Sequence, residues 1–159
     1  MLQRTVGIGE MCISNRLNEV IVTYSLGSCV GLALYDRELR LAGLIHCMLP
    51  LSSMNAAKAS DTPELFVDTG VAALLQAMYD AGSEPRRLIA RVAGAASPMD
   101  ENGTFRIGER NMVVLRKMLQ NNRIRLVAEE IGGTEARTMY FHVADGRIVL
   151  KSRGRESEL

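Results

Sequence analysis

The sequence has no tryptophan, and aromatic residues make up only 4% of the chain. Aromatic rings are the surfaces on which bases and sugars stack, so their scarcity argues against ligands of that kind. An excess of positive charge is also missing, because 19 basic side chains face 18 acidic ones and the formal net charge is +1. Such a chain lacks the electrostatic surface of a nucleic acid binder, and we expect no nucleic acid partner.

Long apolar runs and cysteine pairs are missing as well. No run approaches the roughly 20 apolar residues of a membrane span, and the N-terminus has no apolar segment typical of a signal peptide. Both absences favour a cytoplasmic protein without membrane insertion. The three cysteines are an odd number without paired spacing, which indicates free thiols instead of a disulfide framework.

The length and composition fit a single domain over residues 1–159. A chain of this size buries roughly 68–70% of its unfolded surface, which is enough for a core without cross-links. The hydrophobic fraction of 47% and the charged fraction of 23% are ordinary for a soluble globular protein.

Alternating apolar residues predict seven or eight short, mostly antiparallel strands. Thr5–Ile8 is the first of them, and Thr138–Ala144 and Arg147–Lys151 are joined by a two-residue hairpin turn at Asp145-Gly146. The charged segment Ser152–Leu159 is expected to be a frayed tail.

Two amphipathic helices are also predicted. The first has Thr62 as its N-cap and Pro63 at its first position, ends at Gly82 and buries one face, formed by Val67, Val71, Leu74, Leu75 and Met78. The second spans residues 108–121 and follows a turn at Asp100-Glu101-Asn102-Gly103. Residues 51–60 are small and polar and indicate a loop, either an ordinary surface loop or a cover over a site. Two main helices and mostly antiparallel strands favour an α/β layered sandwich with the helices covering a sheet.

Cys29 follows a glycine-containing turn and stands at the start of the strand Val30–Asp36. A four-residue connection leads from this strand to a second, Leu41–Met48, which contains His46. An antiparallel hairpin with this connection places Gly31 opposite His46 and leaves Cys29 as a diagonal neighbour of His46 on the same face. Gly31 has no side chain and is expected to leave the gap between them open.

A cysteine beside a histidine is a chemically sensible nucleophile, because an adjacent imidazolium lowers the thiol pKa and keeps the thiolate populated. A third group must hold the imidazole in one tautomer, and either a backbone carbonyl or the hydroxyl of Thr23 suits this role. Thr23 approaches Cys29 if the chain reverses about Leu26. The backbone amides of Ser28 and Cys29 are candidate donors to the oxyanion that forms when a carbonyl is attacked.

Less specific interpretations remain open for each of these residues. Free cysteine is commonly buried, so Cys29 can be plain core, and Cys12 and Cys47 are interpreted in that way. Cys47 alternates with His46 and should point to the opposite face of the strand. His46 can also be a buried histidine with a structural role, and His142 is interpreted as structural because no partner lies near it in the sequence.

Two blocks of sequence resemble the CheD family of chemoreceptor glutamine deamidases. The first consists of Leu26-Gly27-Ser28-Cys29-Val30, Tyr35-Asp36 and Gly43-Leu44-Ile45-His46-Cys47-Met48-Leu49-Pro50. The second consists of Ile107-Gly108-Glu109-Arg110-Asn111, Ile131-Gly132-Gly133 and Arg137. The resemblance runs over most of the chain, from about Val6 to Lys151, and the motifs stand in the same order and at similar spacing to those of the family.

The resemblance implies a layered α-β-β architecture and hydrolysis of glutamine side chains on chemotaxis receptors. It implies Cys29, His46 and Thr23 as the catalytic residues, a thioester intermediate and no metal or organic cofactor. The implied partners are the cytoplasmic helices of the receptors and a CheC-type phosphatase. The chain departs from the family pattern at Arg91, Ala95, Glu130 and Ala136. We expect these changes to lie away from the Cys29 and His46 motif and to affect the substrate groove and the partner surface more than the chemistry.

Two alternatives to catalysis come from other classes of protein. The chain can be a non-catalytic regulatory module that binds a CheC-type phosphatase. It can also bind zinc through cysteine and histidine, although the short ligand spacings of structural zinc sites are missing.

Overall fold

The computed structural model describes residues 1–97 and 106–159, and this part of the chain contains ten strands and three α-helices. The strands are β1 (Leu2–Thr5), β2 (Met11–Ser14), β3 (Glu19–Leu26), β4 (Val30–Asp36), β5 (Leu41–Cys47), β6 (Leu88–Gly94), β7 (Arg125–Ile131), β8 (Arg137–His142), β9 (Ile148–Ser152) and β10 (Arg155–Glu158). The helices are α1 (Ala56–Asp61), α2 (Val67–Asp80) and α3 (Ile107–Asn121). The turn predicted at Asp100-Glu101-Asn102-Gly103 lies outside the described residues.

The strands form two five-stranded sheets. The order is β1-β3-β8-β9-β10 in the first sheet and β2-β5-β4-β6-β7 in the second. Within the described ladders, β1–β3 and β6–β7 are parallel and the remaining pairs are antiparallel. The prediction of mostly antiparallel strands is confirmed.

The second sheet is the middle layer of the molecule. Successive residues of a strand point to opposite faces, and every residue of β4 and β5 is buried because both faces are covered. Val30, Leu32 and Leu34 pack with residues of α2 and α3. Ala33 and Tyr35 pack instead with residues of the first sheet. The order of layers is therefore helices, sheet and sheet, as the α-β-β prediction requires.

The first main helix begins later than predicted. Thr62 makes no side-chain capping bond, and Pro63–Leu65 forms a 3₁₀ turn before α2 begins at Val67. Tertiary pairing explains the difference, because Phe66 bridges to Leu49 in an extended conformation and the Val67 amide donates to the Leu49 carbonyl at 2.8 Å. The predicted buried face of this helix is confirmed.

Residues 51–60 are not a loop, since they contain a 3₁₀ turn and α1. The Asn55 side chain accepts a hydrogen bond from the Lys58 amide at 3.1 Å, and this N-cap was a missed signal. None of the helices in the described ranges is both long and apolar enough to cross a membrane.

Three strand predictions were wrong in detail. The first strand is β1: the Val6 amide still donates to the Val22 carbonyl of β3, but the chain then turns, and Gly9 and Glu10 hydrogen-bond to the backbone of His46. The predicted tail forms β10, which pairs with β9 through a two-residue turn at Arg153-Gly154. The hairpin of β8 and β9 is present, but its turn is longer than Asp145-Gly146, since the closing hydrogen bond runs from the His142 amide to the Arg147 carbonyl at 2.9 Å. The Gly146 carbonyl accepts a hydrogen bond from Arg91 at 2.6 Å.

Candidate active site

The hairpin of β4 and β5 has the predicted register. Asp36 pairs with Leu41, and Gly31 pairs with His46. Cys29 precedes β4 by one residue and extends its ladder, since the Cys29 carbonyl accepts a hydrogen bond from the Ala95 amide at 2.8 Å. Cys29 is therefore two residues from Gly31 on the edge of the same hairpin.

Cys29 and His46 lie on the face of the second sheet that meets the first sheet. Cys29 belongs to the cluster of buried residues between the two sheets, and so does Leu44, which shares a face with His46. Cys47 packs in the cluster on the helix side. The prediction that Cys47 points away from the site is confirmed. The expected open gap at Gly31 is filled, because a Cβ there would meet the Leu26 side chain at 2.9 Å.

Thr23 reaches His46 by a route that the sequence did not predict. The predicted reversal about Leu26 would pair β3 with β4, but β3 pairs with β1 and β8 in the other sheet. The chain instead crosses from one sheet to the other at residues 27–29. The Thr23 Oγ1 then meets the His46 Nδ1 across the interface at 2.7 Å, with both side chains buried.

The hydrogen bonds of Thr23 define the tautomer of His46. The Thr23 hydroxyl donates to the Val6 carbonyl at 2.7 Å, because a carbonyl can only accept. The hydroxyl has one proton, so the contact with His46 requires Nδ1–H as the donor and Thr23 Oγ1 as the acceptor. The Nε2 nitrogen then has a free lone pair. Nε2 is buried and makes no hydrogen bond within the described parts of the chain.

Burial favours the neutral forms of both candidate catalytic side chains. It lowers the pKa of His46 to about 4, and it raises the pKa of the Cys29 thiol although a hydrogen bond from the Cys29 amide opposes this shift. The sequence predicted an imidazolium beside a thiolate, and desolvation acts against that pair. At neutral pH the two side chains are therefore a thiol and a neutral imidazole.

Cys29 is the more accessible of the two residues. It is 9% exposed, whereas His46 is 1% exposed. The imidazole is therefore the more strongly screened from water.

Asn111 is a buried polar residue that sequence reasoning did not assign to the site. Its side chain is 0% exposed, and Nδ2 donates to the carbonyls of Ser28 at 2.9 Å and Met48 at 3.2 Å. Asn111 therefore links the turn at residues 27–29 to the segment that follows β5. The signal was a polar residue on the buried face of α3, which also contains Met112 and Leu115.

The departures from the family pattern lie at different distances from Cys29. The Ala95 amide contacts the Cys29 carbonyl directly, so the expectation that these changes lie away from Cys29 was wrong at this position. Its φ of +52° is in the left-handed region that favours glycine. Arg91 holds the β8–β9 turn, Glu130 lies on β7, and the Ala136 carbonyl accepts a hydrogen bond from Ser152.

A metal site of three or more ligands is not found among the described residues, in which no group of His, Cys, Asp and Glu side chains is arranged to hold a cation. The zinc alternative therefore has no ligand set in residues 1–97 and 106–159. His142 lies in β8 opposite Val20, in the outer sheet.

Comparison with solved structures shows the fold. Protein NMB0706 of Neisseria meningitidis, from the family DUF152, superposes with a TM-score of 0.52 at 10% sequence identity. The match covers 84% of this chain and 65% of that protein.

Comparison with sequences shows the family. A family model described as CheD chemotactic sensory transduction matches residues 48–152, a range that excludes Thr23, Cys29 and His46. Curated relatives extend the match to these residues. A protein of Solibacter usitatus is 40% identical over 159 residues, covering 100% of this chain and 94% of the relative. One of Archaeoglobus fulgidus is 44% identical over 157 residues, covering 95% and 94%. Both relatives are named probable chemoreceptor glutamine deamidase CheD. With similarity of this extent over its whole length, the chain belongs to the CheD family.

Proposed function

We propose that this protein hydrolyses the side-chain amide of glutamine residues in chemotaxis receptors to the carboxylate, with Cys29 as nucleophile, His46 as general base and acid, and Thr23 as the group that orients His46. The names of the relatives support the reaction and the substrate. Receptor glutamines on cytoplasmic helices would place the reaction in the cytoplasm.

The observation that carries the proposal is the hydrogen bond between Thr23 and His46 Nδ1 at 2.7 Å. It leaves a bare Nε2 on the face of the sheet that also carries Cys29. A nucleophile, a base and a group that orients the base are the three parts that covalent catalysis of acyl transfer needs.

The geometry supports a two-stage reaction. In the first stage the Cys29 sulfur bonds to the amide carbon as its proton moves to His46 Nε2, and the imidazolium then gives that proton to the departing ammonia. A thioester remains. In the second stage His46 takes a proton from water, the hydroxide attacks the thioester, and Cys29 leaves as the thiol to give glutamate. Thr23 accepts from Nδ1–H throughout and stabilises the transient imidazolium.

Mass spectrometry of a receptor cytoplasmic fragment tests the proposal. Each converted glutamine gains the mass difference between an amide and an acid, and Cys29→Ala should abolish the gain. Cys47→Ala is the matched control, since it removes a buried thiol from the opposite face of the hairpin. His46→Ala should lower kcat by about 10²–10⁴-fold.

A result with Cys29→Ala in cells separates catalysis from regulation. Loss of chemotaxis in this strain supports the enzymatic proposal. Full chemotaxis together with retained binding of a CheC-type phosphatase would favour the regulatory binding module and contradict a catalytic role for the thiol.

A further inference from the structure

The carbonyls of the turn before β4 are all held from the same side of the molecule. The Gly27 carbonyl accepts from the Ala96 amide at 2.9 Å, and the Cys29 carbonyl accepts from the Ala95 amide at 2.8 Å. The Ser28 carbonyl between them accepts from Asn111 Nδ2 at 2.9 Å. The donors belong to the two residues just after β6 and to the second turn of α3. These segments pack so closely that a Cβ on Gly108 would lie 2.6 Å from the Ala95 carbonyl oxygen.

Because peptide bonds are planar, these contacts also determine the directions in which the Ser28 and Cys29 N–H groups point. The described chain has no cis peptide bonds, and in a planar trans peptide the C=O and the following N–H point in opposite directions. The bond to the Ser28 carbonyl therefore turns the Cys29 N–H away from Asn111. The bond to the Gly27 carbonyl likewise turns the Ser28 N–H away from Ala96.

Both amides are left without an acceptor among the other described residues. The Cys29 N–H belongs to the residue that carries the attacking sulfur, and no hydrogen bond from it to another described residue is present. The Ser28 N–H donates to no residue within the described ranges. Backbone donors in this arrangement suit an oxygen atom that becomes negative as the sulfur bonds to the amide carbon.

Asn111 is the one side-chain donor among the three groups that hold the carbonyls of residues 27–29. The bonds from Ala95 and Ala96 come from the backbone, whereas the bond to Ser28 depends on the carboxamide of one residue. That carboxamide also donates to the Met48 carbonyl at 3.2 Å, so its position is fixed at two points. Its complete burial excludes water as a substitute donor to Ser28.

We propose that Asn111 is a positioning residue for the oxyanion site: by holding the Ser28 carbonyl, it orients the Cys29 N–H toward the substrate oxygen that takes up negative charge when Cys29 attacks. This inference rests on the proposed function. The oxyanion exists only after the sulfur–carbon bond forms, with the thiol proton on His46. Loss of Asn111 should therefore slow the chemical step without weakening substrate binding or thiol reactivity.

The experiment compares deamidation with alkylation in the same variants. Iodoacetamide reacts with the sulfur by displacing iodide from a saturated carbon, so no oxyanion forms. Asn111→Ala removes the donor, and Asn111→Leu removes it while filling the site. Asn122→Ala is the matched control, because Asn122 donates to the Met118 carbonyl at the opposite end of α3 at 2.8 Å.

Losing an oxyanion donor typically costs about 10²–10³-fold in kcat, and since the Ser28 amide remains we expect a loss of roughly 10–10²-fold in both Asn111 variants. KM and the alkylation rate of Cys29 should stay within about threefold of wild type. Cys47 is 0% exposed in the fold, so label on Cys47, counted by peptide mass spectrometry, marks unfolded chains. The unlabelled fraction at Cys47 gives the concentration of folded protein, and kcat is expressed per folded site.

Two results would overturn the inference. One is an unchanged kcat per folded site. The other is an alkylation rate that falls in parallel with kcat, because Asn111 would then hold the thiol and not the oxyanion site. Failure of the proposed function would give other results: the wild-type protein would not deamidate the receptor fragment, or the Cys29→Ala variant would still deamidate it.

Discussion

Acid should weaken the fold through His46, which is 1% exposed and neutral in the folded protein. Burial lowers the pKa of His46 from 6.5 to about 4. Below pH 6.5 the unfolded chain takes up a proton that the folded chain does not bind until about pH 4, so acid favours the unfolded state across this interval. The difference between the two pKa values corresponds to about 3 kcal/mol in the free energy of unfolding. The stabilisation is complete above pH 6.5 and is lost as the pH falls toward 4.

Urea unfolding at a series of pH values between 6.5 and 4 measures this loss. Other groups titrate in acid, among them Asp36, where burial raises the carboxyl pKa but hydrogen bonds from Ser83 and Arg87 outweigh it and lower the pKa. A His46→Asn variant isolates the His46 contribution, because its amide is neutral throughout and can donate to Thr23. The free energy of unfolding of wild type minus that of His46→Asn should therefore fall by about 3 kcal/mol on acidification.

A His142→Asn variant is the control for the second histidine, which lies in the outer sheet and is only partly buried. The reasoning is refuted if the difference between wild type and His46→Asn stays flat across the interval. A flat difference would mean that the folded and unfolded chains take up the same number of protons at His46 across the interval. Burial would then not keep the folded imidazole neutral.

Three further substitutions give separate expectations. Thr23→Val keeps the shape of the side chain but leaves Nδ1–H of His46 without an acceptor. It should lower the free energy of unfolding by about 1–3 kcal/mol in urea titrations and kcat by at least about tenfold in the deamidation assay. Cys47→Ala should lower the free energy of unfolding by about 1 kcal/mol and leave kcat unchanged, because its thiol packs under the helices. Gly94→Ala should destabilise the protein by about 1–3 kcal/mol, since the φ of Gly94 is +112° and the added Cβ would collide with the Cys29 carbonyl. Thermal unfolding measures the loss. A Gly132→Ala control, in which the Cβ meets nothing within 4 Å, separates the collision from backbone strain alone.

The hairpin that carries Cys29 and His46 could be predicted because local features determine it. A short connection and two runs of apolar residues define the register, and a shift by one residue would move every side chain to the other face. The pairing of Gly31 with His46 follows from these features alone. The opposite orientation of Cys47 follows from the same alternation.

The route of Thr23 to His46 could not be predicted because it depends on distant pairing. Val22 pairs with Tyr140, so the position of β3 is determined by a strand near the other end of the chain. No local pattern indicates whether consecutive strands share a sheet or change sheets. Asn111 was missed for a related reason, since its contacts with Ser28 and Met48 exist only once α3 is packed on the second sheet.

The division of the site between two sheets has a consequence for its chemistry. Cys29 and His46 belong to the second sheet, while Thr23 belongs to the first. The hydrogen bond that selects the tautomer of His46 therefore depends on the packing between the sheets, where Leu26 fills the space beside Gly31. Substitutions that loosen this packing should reduce the fraction of molecules with Nε2 unprotonated and correctly oriented, even though the Cys29–His46 hairpin stays intact. In this fold local sequence determines the hairpin that carries Cys29 and His46, and the contact between the two sheets determines how Thr23 orients the imidazole.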